Sequence, residues 1–238
     1  NDDGRGTVFW EDAHARVAAE LPSTAPDPNG DNGDSTLVQL GDGNTAYTWK
    51  NPVGTKYNKL RSQVLYRASQ IGMQGLITQI QVKVVSAPDI ALSGFTIRMQ
   101  HTALNDLSSS FINSGWKTNY RANTTISRIF SGWYEFNLAS NFYYNGTNNL
   151  LVDFIVNNST RDDYPPSAST YTPGSGIQGN YGGNNSGDPF TWTSTSGLKY
   201  RYTGANYCDI RLAISNDQPV IIGENLSFDD GPRGYLTN

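Results

Sequence analysis

Few residues in this chain could do chemistry. There are two histidines, His14 and His101, and one cysteine, Cys208. Tetrahedral zinc needs several His or Cys ligands brought together, and this inventory speaks against it. His101 falls in phase with Phe95, Ile97 and Met99. It is expected as an inward, hydrogen-bonded histidine rather than an acid–base group. His14 is expected to be solvated. Cys208, within the strand-like run Tyr207–Ile214, is expected as a small buried apolar residue. The sequence has no Gly-x-Ser-x-Gly elbow for a nucleophilic serine. Glu135 is the only glutamate in a predicted strand, with Trp133 and Asn137 in the same outward phase. That trio describes either a sugar site or a solvated outer face. Asp153 has no identifiable acid partner for glycoside hydrolysis. A hydrolase or lyase would rest on Glu135 and loop residues alone, so the chain is read as non-enzymatic.

Metal binding has one candidate segment. Asp27, Asn29 and Asp31 place oxygen ligands at alternate positions, as the start of a calcium loop does. Glycine stands at the seventh position, Gly33, and Val38 stands where a closing Glu is needed. The segment is read as a structural Ca2+ loop or an acidic linker. Asp162, Asp163 and Asp188 are charged-turn residues with a calcium alternative.

Aromatic and amide residues carry the best binding signal. Sugars present C–H faces that aromatic rings cover, and hydroxyl pairs that planar amides or guanidinium groups bond. Two surfaces are predicted. One is an outer strand face with Gln79, Gln81, Lys83, Arg98 and Gln100, bordered by Trp133. The other is a loop cluster of Tyr164, Tyr171, Tyr181 and Trp192. Lys83, Arg98 and Arg211 would suit an anionic glycan, since Arg bonds carboxylate or sulfate in bidentate fashion. Against both stand two ordinary facts: outer faces are polar, and Tyr-rich loops often simply pack.

The elements that must position these residues read as strands. Leu76–Val85 and Phe95–Thr102 alternate apolar and polar with a period of two, the mark of half-buried strands. The pair is expected to share a sheet, which would put their outward residues on one face. Further strands are predicted over Thr36–Leu40, Gln63–Ala68, Trp116–Tyr120, Thr125–Phe130, Trp133–Leu138, Leu150–Val156, Leu198–Tyr202 and Cys208–Ile214. Leu150–Val156 is apolar on both phases and is expected to be central. Leu104–Gly115 is a polar connection with one helical turn. Asn157–Gly197 reads as a long ordered loop, above the roughly 12–15 residues that usually mark a functional or disordered segment. Short strands with frequent turns and no helix in the body predict an all-β fold: an antiparallel two-sheet β-sandwich, jelly-roll-like. Residues 1–35 form an N-terminal arm with one short helix over Glu11–Leu21. Residues 36–214 form the sandwich, and residues 215–238 a tail.

Composition narrows the partners. With a net charge of −4, a pI near 5.1 and no basic cluster, nucleic acid is an improbable ligand. No apolar run reaches the roughly 18–20 residues of a membrane-spanning helix. Abundant Gly, Tyr, Asn and Ser point to an extracellular or cell-surface module, expected to be a segment of a longer secreted protein.

The runs Leu65–Ile71, Gly75–Ile80, Ile97–Thr102, Gly132–Phe136 and Phe142–Val152 resemble a β-sandwich module of large secreted and surface proteins of environmental bacteria. That resemblance covers roughly 36–214 and implies a sandwich fold joined to other domains. It brings no catalytic residue. The expected function is non-catalytic polysaccharide binding. The alternative is a structural or adhesive subunit that pairs with neighbouring domains or subunits, using Thr7–Leu21 or Val220–Ile222 to add a strand to a sheet edge.

Overall fold

The computed structural model describes residues 35–43, 46–47, 52–162 and 168–216. The expected arm helix, the Asp27–Asp31 segment, Asp163, Tyr164 and Val220–Ile222 lie outside them.

Among the described residues, strands form two antiparallel sheets packed as a sandwich. Sheet A has the order β1 (Ser35–Leu40), β13 (Ile210–Ser215), β4 (Gly75–Ser86), β9 (Ala168–Pro173), β12 (Asn206–Cys208). In addition, β7 (Gly132–Tyr144) pairs with β4, and β2 (Ala46–Tyr47) pairs with β9. Sheet B has the order β11 (Tyr200–Gly204), β10 (Gly179–Asn184), β3 (Lys59–Tyr66), β8 (Asn149–Asn157), β5 (Leu92–Thr102), β6 (Lys117–Thr124).

Alternation decides which side chains enter the core. Ile80, Val82 and Val84 from β4 meet Phe95, Ile97 and Met99 from β5, and all six are fully buried. Phe95 and Phe136 bring the two sheets into contact, with ring centroids 4.9 Å apart. Each such side chain contributes about 1.5–3 kcal/mol by leaving water. Tyr66 crosses the interior and donates its hydroxyl to the Cys208 carbonyl at 2.7 Å. Leu150–Val156 is central as expected. It lies in β8, between β3 and β5, and is buried on both faces.

Several expectations need correcting. The two opening strands, β4 and β5, belong to opposite sheets. A period of two tells a strand which side is inward but not which strand it pairs with. Thr125–Phe130 is a turn rather than a strand, closed by the Phe130 amide on the Ser127 carbonyl. Leu104–Gly115 has no helical turn. A short helix, α1 (Ala68–Ile71), instead interrupts the body. The Gln70 side chain accepts the Arg67 amide at its start, and Gly72 at φ 72° ends it.

The long stretch Asn157–Gly197 contains β9 and β10 rather than one loop. Three of the six β10 residues are glycine, so the strand shows no alternation. Packing explains this composition. A Cβ on Gly182 would stand 2.4 Å from Leu198 Cδ1, and one on Gly183 would stand 2.7 Å from Leu60 Cδ2.

One strand joins the two sheets laterally. The β4–β7 register jumps from Ile77↔Phe142 to Gln79↔Asn137, so residues 138–141 bulge out of the ladder. Asn119 of β6 donates to the Ser140 carbonyl at 2.8 Å, and Lys117 donates to the Asn141 carbonyl at 2.6 Å. The edge of sheet B is thereby stitched to sheet A.

Sheet B carries a third layer. Residues 103–116 and 185–199 cover its outer face over a charged network. Arg61, fully buried, uses all five N–H donors: two reach Asp153 at 3.2 and 3.1 Å. The others reach Asn113 Oδ1 at 2.6 Å and the carbonyls of Trp192 and Ile112, each at 2.8 Å. Phe111 covers the guanidinium at 4.8 Å. Arg98 also pairs with Asp153. Gln63 both donates to and accepts from the Ile112 backbone, at 2.7 and 2.8 Å, like one more rung of a ladder.

Removing one member of a buried ion pair strands the other without water. Asp153→Asn should therefore lower unfolding free energy by about 3–5 kcal/mol in urea titrations. Arg98→Ala should cost clearly less, because Asp153 keeps Arg61. Equal losses in the two variants would count against the Arg61–Asp153 contact as the dominant one.

Candidate functional site

The outer face of sheet A is built from β1, β13, β4 and β7. Pairing registers set three rows across it: Ala213–Gln79–Asn137, Arg211–Gln81–Glu135, and Lys83–Trp133. Cross-strand neighbours in such rows have side chains within reach of one another.

The amides form a continuous network. Gln79 donates to Asn137 at 2.7 Å and to Glu135 at 3.4 Å. Gln81 donates to Gln79 at 2.8 Å and to the other Glu135 oxygen at 3.1 Å. Glu135 and Asn137 are exposed at the top of this network, while Gln81 is buried beneath it. Trp133 is half-buried at one end. Arg211 stacks on its ring at 4.2 Å and Lys83 at 5.5 Å, contacts worth about 0.5–1 kcal/mol each when exposed. Arg211 is aimed by its Nε–H bond to Gln39 Oε1 at 2.9 Å. Among the described residues, neither Lys83 nor Arg211 pairs with a carboxylate. The face thus offers an indole, two cations, three amides and one carboxylate on rigid strands.

The other predicted site residues are placed elsewhere. Arg98 and Gln100 lie on the outer face of sheet B, away from Gln79, Gln81 and Lys83. They fasten the covering layer: Arg98 pairs with Asp153 and stacks on Trp116 and Phe190, at 5.1 and 5.3 Å. Gln100 donates to the Ser114 carbonyl at 3.2 Å. Two tyrosines of the expected loop cluster are not on the surface. Tyr171 on β9 and Tyr181 on β10 are core residues, 2% exposed each, meeting edge to face at 5.5 Å. Burial pushes both phenols well above their ordinary pKa. Trp192 sits in the covering layer and its carbonyl accepts from Arg61. Asp153, expected to have no acid partner, accepts from two arginines. Asp188 makes a turn, accepting the Phe190 amide at 3.0 Å, and Asp162 accepts the Asp89 amide at 3.0 Å.

Arg61 and Arg211 were the residues hardest to place from sequence. Arg61 stands just before the predicted strand Gln63–Ala68 and outside every predicted element. Arg211 alternates with apolar residues, which was the one available signal that it faces outward.

No family model matches the chain, and comparison with curated proteins and with solved structures gave no match.

His101 packs as expected. Its Nε2 accepts the Asn145 amide at 3.1 Å, and its ring lies against Phe142 and Tyr144. Burial lowers its pKa from the ordinary histidine value. The unfolded chain therefore takes up this proton more readily than the folded one, so stability rises with pH. The contribution is fully present above the unfolded pKa of about 6.5 and is lost as pH falls through the lower folded value. In urea titrations from neutral to mildly acidic pH, His101→Gln should flatten this part of the stability profile. A wild-type profile with no such slope, or an unchanged slope in the variant, would remove His101 as its source.

Proposed function

We propose that this chain is a non-catalytic binding module that holds an acidic polysaccharide against the outer face of sheet A. One observation carries the reading: an indole flanked by two cations that, among the described residues, lack carboxylate partners, bordered by a ladder of amides. Trp133 supplies an apolar plane for the C–H face of a sugar ring. Arg211 and Lys83 supply charge for a uronate or sulfate group, Arg211 with a fork suited to bidentate contact. The Gln79–Asn137 row and Glu135 can bond vicinal hydroxyls. Arg98 is not part of this reading, because it lies on sheet B, paired with Asp153 and stacked on Trp116 and Phe190.

The setting is an extracellular or cell-surface protein of a bacterium, larger than this chain. The Gly-, Tyr-, Asn- and Ser-rich composition and the resemblance to secreted sandwich modules support it. Rigid strands suit recognition, since little side-chain or backbone order must be gained on binding.

Affinity electrophoresis against a panel of uronate-containing, sulfated and neutral polysaccharides tests this. Retardation by an acidic polymer is expected, weakening as salt rises. Trp133→Ala and Arg211→Ala should each weaken it by at least about tenfold, while Arg121→Ala, on sheet B, should leave it unchanged. Glu135→Gln should still bind, and the polymer should stay intact after prolonged incubation. Failure to bind any polymer, or binding indifferent to both face substitutions, would refute the assignment.

A further inference from the structure

The turn after β1 meets β9 and the β12–β13 junction around a buried carboxylate. Asp209 has no exposed surface. Its Oδ2 accepts the Gly43 amide at 3.1 Å, whereas its Oδ1 has no hydrogen-bond partner. The Thr170 hydroxyl, also buried, has none either. A Cβ built on Gly41 would fall 1.9 Å from Asp209 Oδ1 and 2.9 Å from Thr172 Oγ1. Both oxygens thus converge on the turn, and Gly41, at φ 100°, suits a backbone that approaches them. A second carboxylate is tied to the same hydroxyl: Thr172 donates to Asp42 Oδ1 at 3.3 Å and accepts the Asp42 amide at 2.8 Å.

Such an arrangement is costly as it stands. A carboxylate taken out of water needs an ion pair, a full set of donors, a proton or a metal. Among the described residues, no Lys or Arg pairs with Asp209. Burial pushes its pKa up. The Gly43 amide opposes the rise, and Asp42's charge adds to it. The surrounding donors are all oxygen, the set that hard cations with six to eight ligands select.

We propose that Asp209 and Asp42, with the Thr170 and Thr172 hydroxyls, form a binding site for a hard divalent cation, Ca2+. The ion would tie the β1 turn to β9 and to the start of β13. The site is separate from the Asp27–Asp31 segment and does not depend on which ligand the outer face of sheet A binds. It does adjoin that face: a Cβ on Gly43 would lie 3.3 Å from the Trp133 ring.

Calorimetric titration and thermal unfolding of the full chain, stripped with EDTA, test the site with CaCl2 and with MgCl2 as the smaller-ion control. Saturating Ca2+ is expected to raise Tm by several degrees, because only the folded state assembles the ligands. Asp209→Asn should abolish one equivalent of Ca2+ binding yet match or exceed the wild-type Tm in EDTA, since it removes an uncompensated charge. Asp42→Asn, at an exposed position, covers the case in which Asp209→Asn misfolds, and should weaken binding by about tenfold or more, as ligand charge sets affinity. Two results would overturn the site. One is a Ca2+ response that persists unchanged in the variants, which places the ion elsewhere. The other is a wild-type Tm indifferent to Ca2+ that falls with rising pH, which makes Asp209 a neutral buried acid.

Discussion

A guanidinium–carboxylate contact sealed from water, Arg61 with Asp153, constrains most of this molecule. The two residues stand on adjacent strands, β3 and β8, on the side of sheet B away from the core. Charges placed there without cover would simply be solvated. Covered, they need every donor and acceptor satisfied, because the interior strengthens good hydrogen bonds and penalises missing ones. Residues 103–116 and 185–199 meet that demand with backbone carbonyls and one asparagine. The outcome is a three-layer body in which the central strands of sheet B, β3 and β8, are enclosed on both sides. The broad strand face left open belongs to sheet A.

That division explains how the candidate site is organised. Sheet B spends two arginines, Arg61 and Arg98, internally, on Asp153 and on the rings of Phe111, Trp116 and Phe190. Sheet A instead directs Lys83 and Arg211 at Trp133, with solvent above them. Two sets of cations with similar local sequence settings thus have opposite uses. The difference lies in which sheet's exterior is roofed.

The inward sets of β5, β7 and β8, and of β4 from Ile80 to Val84, were legible in the sequence, since strand periodicity reports burial directly; at the start of β4 the bulge between Ile77 and Gln79 shifts the phase and buries Ile77 rather than Leu76. The sandwich architecture followed from the same pattern. Partner choice was not legible. Alternation in β4 and β5 fits one sheet or two equally well, so Arg98 and Gln100 were joined to a face they do not share. The tyrosines of β9 and β10 failed for another reason: glycine and hydroxyl residues hid two strands inside what read as loop. Residues Gln79, Gln81, Lys83 and Trp133 do lie together, because they are local to one ladder, β4 with β7. Asp209 was invisible as a special residue. Its environment is assembled from three segments distant in the chain.

The glycines of β10 have a consequence for how this sequence can vary. Composition marks 179–184 as spacer, the type of stretch in which drift is usually free. Packing says the reverse at Gly182 and Gly183, where even a methyl group must displace Leu198, Leu60 or the Tyr57 ring. Polar surface strands here can change their side chains while keeping their ladders. At Gly182 and Gly183 this inner strand keeps its ladder only by having no side chain there. Divergence among sequences that share this body should therefore be lowest where the chain looks least structured.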